Sequence, residues 1–434
     1  MEIQLQFDKI KGTVKPLHGI DNAPAIGSSS ELFHYLGEAG IPSSRLNDMG
    51  GMYGGGRYVD IANLFRDFDA DPELPESYDF AFTDWLFEQI TGQGTKIFFR
   101  LGPSIENSHR IKAYYIYPPK DNLKWAKICE GIIKHYNYGW ANGYHYDIQY
   151  WEIWNEPDNE PEIADNPCWK GTMEQFFALY ETAANYLKER FPYLKIGGYG
   201  SCGFYSLTGY YEKNANSSTR TDYFITFFEA FIDYITSEEH RSVLDFFSWH
   251  SYAGSEDNRV WAEYVRKFLD EHGLTATESI LNEWNPGVKR RGTEEDACYL
   301  TDMLLTMHPL PVEQMHYYNG ESRGSVYSGL FDMITREIFP AYYALHAFNE
   351  LYVLGNEAEA ESNVPVLAAT DGAVGKLLIA NKSSEPLVLE LVSNGWKATK
   401  FRVNQGIQGL LEVPLTAHPT VPPMKIAIVE FVKC

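Results

Sequence analysis

The chain is short of basic residues, of cysteine and of long apolar runs, and each shortage closes off a class of protein. Lysine and arginine number 36 against 59 aspartates and glutamates, a formal net charge of −23 over 434 residues. A nucleic acid or an anionic membrane carries the same sign, so neither is an expected partner, and an acidic polysaccharide is disfavoured as substrate. The five cysteines (Cys129, Cys168, Cys202, Cys298, Cys434) are odd in number and show no Cys-x-x-Cys spacing. That usage fits reduced structural thiols, not a disulfide framework or a zinc site, and neither metal nor cofactor is expected. No stretch approaches the ~20 apolar residues of a membrane span. The opening Met1-Glu2-Ile3-Gln4-Leu5-Gln6-Phe7 alternates like a strand and has no basic or apolar leader. The expectation is a cytoplasmic protein, or an exported one whose leader has been removed.

Aromatic residues, by contrast, are plentiful: 30 Tyr, 25 Phe and 10 Trp make up 15% of the chain. Most must be core, but sugar rings present flat C–H faces that pack on aromatic faces, so the excess suits a carbohydrate-handling protein. Two stretches share one grammar. Tyr146 to Tyr150 alternates into Trp151-Glu152-Ile153-Trp154-Asn155-Glu156-Pro157-Asp158, and Ser279-Ile280-Leu281 runs into Asn282-Glu283-Trp284-Asn285-Pro286. Each reads as a strand ending in Asn-Glu, closed by a proline that cannot continue a ladder. A carboxylate at a strand's C-terminal end lies where (β/α)8 barrels build active sites, and a spacing of three βα units puts the two across the barrel mouth. Paired carboxylates facing one cleft are the equipment for glycosidic bond cleavage.

Strand and helix patterns alternate eight times between residues 15 and 352. Strands are expected at Val14 to Asn22, Ser44 to Asp48, Lys96 to Leu101, Tyr146 to Glu156, Lys195 to Gly200, Asp245 to Tyr252, Ser279 to Glu283 and Gln314 to Tyr318. Helices are expected between them, among them one capped by Ser30 and one opened by the capping box Thr293-x-x-Asp296. The glycine run 50–57 lacks the Gly-Lys-Ser/Thr of a phosphate loop and reads as a rim loop. The acidic stretch Asn356 to Ser362 reads as a linker or turn whose charges are solvated. Short alternating strands follow from Val364 onward. The expected architecture is an α/β (β/α)8 barrel, residues 15–352, with a small C-terminal β-sandwich, residues 353–434, completed by N-terminal strands within residues 1–14.

Trp151 to Asp158, Ile280 to Trp284 and Phe98 to Glu106 together resemble family 39 glycoside hydrolases, the group of β-xylosidases and α-L-iduronidase. The resemblance covers most of residues 14 to 350. It implies that Glu156 is the acid/base and Glu283 the nucleophile of a retaining double displacement, and that Asn155 contacts the sugar 2-hydroxyl. Further substrate contacts are expected from His250 and Tyr252, which share one face of a strand end, and from Trp284, Arg45, Asn47 and Asp48. Arg100, inside a strand, needs a buried partner, either a catalytic carboxylate or a barrel residue. Tyr317, Tyr318, Glu321 and Arg323 are candidates for a specificity wall. Members resembling α-L-iduronidase carry a lysine two residues after the strand-six histidine, and here that position is Tyr252, which points to a neutral sugar.

The sequence thus leads to a retaining exo-glycosidase of β-xylosidase type acting on an oligosaccharide or glycoside. Three alternatives stay open: an endo-acting hydrolase, an arabinosyl- or galactosyl-specific hydrolase of the same clan, and a carbohydrate-binding barrel that has lost catalysis.

Overall fold

The computed structural model describes residues 1–27, 30–50, 57–210, 218–321, 327, 329–332 and 334–434. The glycine run 51–56 and Arg323 lie outside the described residues. Strand β1 (Glu2–Thr13) opens the chain. Eight parallel strands then close into a barrel: β2 (Gly19–Asp21), β3 (Ser43–Leu46), β4 (Lys96–Leu101), β5 (Tyr150–Ile153), β6 (Lys195–Ser201), β7 (Phe246–Ser251), β8 (Glu278–Trp284) and β9 (Gln314–Tyr317). The helices in chain order are α1 (His34–Glu38), α2 (Ile61–Leu64), α3 (Ala81–Thr91), α4 (Asn122–Tyr138), α5 (Met173–Arg190), α6 (Ser218–Thr236), α7 (Ser255–Glu271), α8 (Glu294–Met307) and α9 (Pro340–Tyr352). Apolar residues recurring every three to four positions bury the helices against the strands, as Phe176, Phe177, Tyr180, Ala183 and Leu187 do on α5.

The chain continues in β10 (Asn356–Glu361), β11 (Val366–Thr370), β12 (Val374–Asn381), β13 (Leu387–Val388), β14 (Glu390–Ser393), β15 (Trp396–Asn404), β16 (Leu410–Val413), β17 (Thr420–Val421) and β18 (Lys425–Lys433). An eight-stranded sheet in the order β14-β1-β10-β11-β12-β18-β15-β16 and a β13-β17 ribbon make the accessory β-sandwich. Its own core gathers Ile3, Leu5 and Phe7 of β1 with Trp396, Phe401, Val421 and Phe431. Leu367, Leu378, Ile426 and Ile428 join the barrel's core instead, which docks the sandwich on α8 and α9.

Several sequence expectations are corrected. Residues 356–361 are not a linker: β10 pairs antiparallel with β1, and the charges of Glu357 and Glu359 are taken up by Lys11 and Lys9 of that neighbour. The expected N-terminal strands, Ile3 to Phe7 and Lys11 to Val14, are one strand with bulges. Ser30 starts a short 3-10 turn and caps no α-helix; its Oγ accepts from the Gly27 amide. The strand bearing the first motif begins only at Tyr150 and ends at Ile153, because Asp147, Trp154 and Glu156 all take positive φ. The chain leaves the ladder three residues before Glu156, so Pro157 is not what stops it.

The barrel interior is layered. Phe98, Phe246 and Ile280, flanked by Tyr150, form an apolar floor. Two residues further along the same strands, by the alternation of a β-strand, come Arg100, Glu152, Ser248 and Asn282, and polar chemistry begins. On β8 the register with β7 shifts, so that Trp249 pairs Leu281 but His250 pairs Glu283. That one-residue bulge lets two successive residues, Asn282 and Glu283, both reach the interior.

Candidate active site

At the C-terminal ends of β5, β7 and β8 three groups converge. A carboxylate oxygen of Glu156, one of Glu283 and a ring nitrogen of His250 all lie within 4.8 Å of one another. His250 Nδ1 is 2.8 Å from Glu156 Oε1 and 3.7 Å from Glu283 Oε2. A retaining pair needs about 5 to 5.5 Å between carboxyl groups and an inverting pair more, to admit water between them. An oxygen-to-oxygen approach within 4.8 Å suits the closer, retaining arrangement.

Glu283 is gripped from two sides. Tyr252 donates its hydroxyl to Oε1 at 2.6 Å, and Arg45 Nη1 donates to Oε2 at 3.1 Å. Arg45 is wholly buried and divides its donors among Asp21 (2.7 Å), Glu152 (2.8 Å), Glu283 and the amide oxygen of Asn155 (2.6 Å). A buried guanidinium is tolerated only with such a set of partners. Its charge lies against Glu283 Oε2, the carboxylate oxygen that also stands nearest His250. Asn155 gives its oxygen to Arg45, so its Nδ2 amide is the end left as a donor. Glu152, fully buried, also accepts from Ser248 Oγ and Asn282 Nδ2, each at 2.6 Å, and ties β5 to β7 and β8.

Glu156 leaves the strand at a φ of 49°, its amide bound to the Gly200 carbonyl at 3.0 Å. Beyond His250, its carboxylate accepts from Asn159 Nδ2 at 2.8 Å, and the Cys168 thiol lies 4.0 Å from the same oxygen. Gly200 has a reason to be glycine: its φ is 66°, and a Cβ there would stand 3.0 Å from His250 Nε2 and 3.3 Å from Glu152 Oε1.

The electrostatics follow from burying more carboxylates than cations. Burial pushes Asp21 well up, with Arg45 opposing and Glu283 adding to the rise. Burial also raises Glu283, helped by the charge of Glu156 and opposed by His250, Arg45 and Tyr252. At Glu156 burial acts upward too, but the His250 hydrogen bond and charge, with Asn159 and Arg220 behind them, bring it below the ordinary carboxylate range. His250 is raised: burial disfavours its charge, and Glu283 and the hydrogen bond to Glu156 outweigh that. Within this pair the site thus favours a protonated His250 hydrogen-bonded to an ionised Glu156.

The other expected residues fall into two groups. Asn47 and Asp48 have their amides fixed by Asn22 Oδ1 at 3.1 and 2.9 Å, and Asp48 accepts from the Tyr318 hydroxyl at 2.9 Å. Tyr252, Tyr318 and Tyr327 stand edge to face beside Glu283, with centroids 5.6 to 6.4 Å apart. Trp284 is buried against Tyr317, and its indole Nε1 has no partner among the described residues, as is also true of His250 Nε2. Arg100 reaches Asp60, Asn47 and Ser104 and no catalytic carboxylate. Tyr317 turns away from the cleft and donates to Asp296 on α8 at 3.2 Å. Sequence reasoning missed Asp21, Glu152, Asp60, Asn159, Arg220 and Tyr327. For Glu152 a signal existed: a charged residue inside an apolar strand, two positions before Trp154.

Over 242 residues the chain is 26% identical to a β-xylosidase of Geobacillus stearothermophilus, covering 53% of this chain and 41% of that protein. It is 32% identical over 85 residues to a β-xylosidase of Caldicellulosiruptor saccharolyticus, 19% of this chain and 16% of that one. The chain thus matches less than half the length of these relatives. Among solved structures, a glucosidase from Croceicoccus marinus superposes with a TM-score of 0.77 at 20% identity, covering 100% of this chain and 99% of that one. A monomeric β-xylosidase from Caulobacter crescentus superposes with a TM-score of 0.71 at 16% identity, with the same coverage. At such identities these likenesses show the fold. The sequence pattern of glycosyl hydrolases family 39 matches residues 52–306, more than half of the chain and including both Glu156 and Glu283. The chain belongs to glycosyl hydrolases family 39.

Proposed function

We propose that the protein is a retaining exo-glycosidase that removes terminal neutral sugars from oligosaccharides, with β-xylosides as first substrate. The observation that carries this reading is the approach of Glu156 and Glu283 to within 4.8 Å across His250 at the barrel mouth. In the first step an oxygen of Glu283, whose charge Arg45 and Tyr252 favour against the opposing effect of burial, bonds to the anomeric carbon as that carbon's bond to the leaving oxygen breaks. The proton for that oxygen comes from Glu156, which takes it from His250 Nδ1 across 2.8 Å. In the second step Glu156 accepts a proton from water as the water oxygen displaces Glu283, and the proton returns to the His250 pair. Asn155 Nδ2 serves the sugar 2-hydroxyl, where a hydrogen bond strengthens as positive charge grows on the ring. Arg45 acts on Glu283 from beneath, and Asn47 and Asp48 shape the wall with Tyr318.

The region 15–352 is read as the catalytic unit and 1–14 with 353–434 as its accessory unit. Among the described residues no helix is long and apolar enough to cross a membrane. A panel of nitrophenyl β-xyloside, α-L-arabinoside, β-galactoside and β-glucoside tests the specificity, and highest kcat/KM on the xyloside is expected. Glu283→Gly should abolish turnover and regain it with azide as an α-glycosyl azide. Wild-type-like turnover in Glu283→Gly would remove the assignment.

A further inference from the structure

Behind Glu156 lies a second chain of contacts. Glu156 Oε2 accepts from Asn159 Nδ2 at 2.8 Å. Arg220, at the start of α6, holds Asn159 twice, Nη2 on its Oδ1 at 2.9 Å and Nε on its backbone oxygen at 2.7 Å. Glu160 pairs with Arg220 Nε at 2.8 Å and keeps the guanidinium in place. Because Arg220 occupies the amide oxygen, Asn159 can present only its NH2 to Glu156, and its orientation is fixed. The turn is also clamped from β6: Asp158, buried, accepts from Ser201 Oγ at 2.8 Å and from the Cys202 amide.

We propose that Asn159 and Arg220 form a positioning relay that aims Glu156 Oε2 and, by delivering a donor and a positive charge to it, determines how readily that carboxyl takes up and releases the catalytic proton. Glu156 meets two opposed environments. From β7 and β8 come His250, which donates to Oε1, and Glu283, which repels. From its own loop and the end of β6 come Asp158, held at about 7 by burial, and the thiols of Cys168 and Cys202, raised by burial. Tyr252 also faces it and, raised by burial, stays neutral. Arg220 is the cation on the side opposite His250, and it acts through Asn159 without touching substrate. Its charge and the Asn159 donor both favour the ionised form, which is the form that must draw a proton from water in the second step.

The effect on rate rests on the reading of Glu156 as acid/base, whereas the effect on its ionisation does not. The test is therefore a 13C NMR titration of the full-length protein labelled at glutamate Cδ, with the Glu156 signal assigned by its loss in Glu156→Gln. The pH profile of kcat/KM on a phenyl xyloside is run in parallel. Arg220→Gln and Asn159→Ala should each raise the Glu156 midpoint by about 0.5 to 1 pH unit, the size of one lost donor or nearby charge. The alkaline limb of kcat/KM, which reports the proton shared by Glu156 and His250, should move the same way, and Arg220→Lys, which keeps the charge, should stay close to the parent. An unmoved Glu156 midpoint in folded Asn159→Ala, or an Arg220→Lys shift as large as that of Arg220→Gln, overturns the relay. A moved midpoint with an unmoved rate profile leaves the relay standing and overturns the acid/base reading instead.

Discussion

Tyr252 is the residue whose role is easiest to isolate. Its hydroxyl donates to Glu283 Oε1 at 2.6 Å, and the ring keeps its place among Tyr318 and Tyr327 whether or not the hydroxyl is present. A hydrogen bond to a charged group contributes about 1.5 to 3 kcal/mol. Tyr252→Phe should therefore lower kcat roughly 10- to 100-fold with little change in melting temperature, checked by steady-state kinetics and calorimetry. His250 supplies a pH signature. Its folded value lies above 6.5, so the limb that reports loss of the deliverable proton should fall above pH 6.5. A limb near the ordinary glutamate value, about 4.5, would show that no proton is stored on the ring. Glu156 and Glu283 stand out in the sequence because each follows an asparagine at a strand's end. Arg45 stands out only as a candidate wall residue, because its partners Asp21, Glu152 and Glu283 come from three other strands and periodicity carries no information about such partners.

At the scale of elements, local chemistry and barrel closure separate cleanly. Helix α5 opens with a reciprocal capping box: the Thr172 hydroxyl accepts from the Gln175 amide, and the Gln175 side chain accepts from the Thr172 amide. Thr172→Ala should cost about 1 kcal/mol, read as a lower denaturation midpoint with kcat unchanged, because α5 bears on the site only through packing. Gly200→Ala should do the reverse. The new methyl would crowd His250 and Glu152, and activity should fall by an order of magnitude or more while global stability changes modestly, about 1 kcal/mol. Strands such as Lys96–Leu101 are legible from their apolar runs, and helices such as α4 and α5 from their period. The sequence extends the strand before Glu156 too far because Tyr146, Ile148 and Tyr150 alternate convincingly, while the positive φ at Asp147 is set by tertiary context. The β8 bulge was likewise invisible, since it exists only in register with β7.

For the whole molecule, the lesson lies in the acidic stretch at 356–361. Read alone it is solvated charge; read with β1 it is a strand whose glutamates answer Lys9 and Lys11. Pairing between the two ends of a chain leaves no local trace. The sandwich is fastened to α9 by Glu350, which binds Arg402 and Lys376 across the interface. Burial opposes ionisation of Glu350, and the two cations outweigh it and hold it below the usual carboxylate range. A depressed folded value gives stability that is present above the unfolded value of about 4.5 and lost as pH falls through the folded one. Glu350→Gln should therefore melt below the parent at pH 7, and the gap should narrow as pH falls below the unfolded value of about 4.5. The central claim is that Glu283 forms a covalent bond to the sugar while Glu156 supplies and recovers the proton. Its most direct test is incubation with an activated 2-deoxy-2-fluoro-β-xyloside followed by peptide mass spectrometry. The account expects one fluoroxylosyl adduct on Glu283, and an adduct on Glu156 would contradict it, as would substrate turnover with inversion and no adduct.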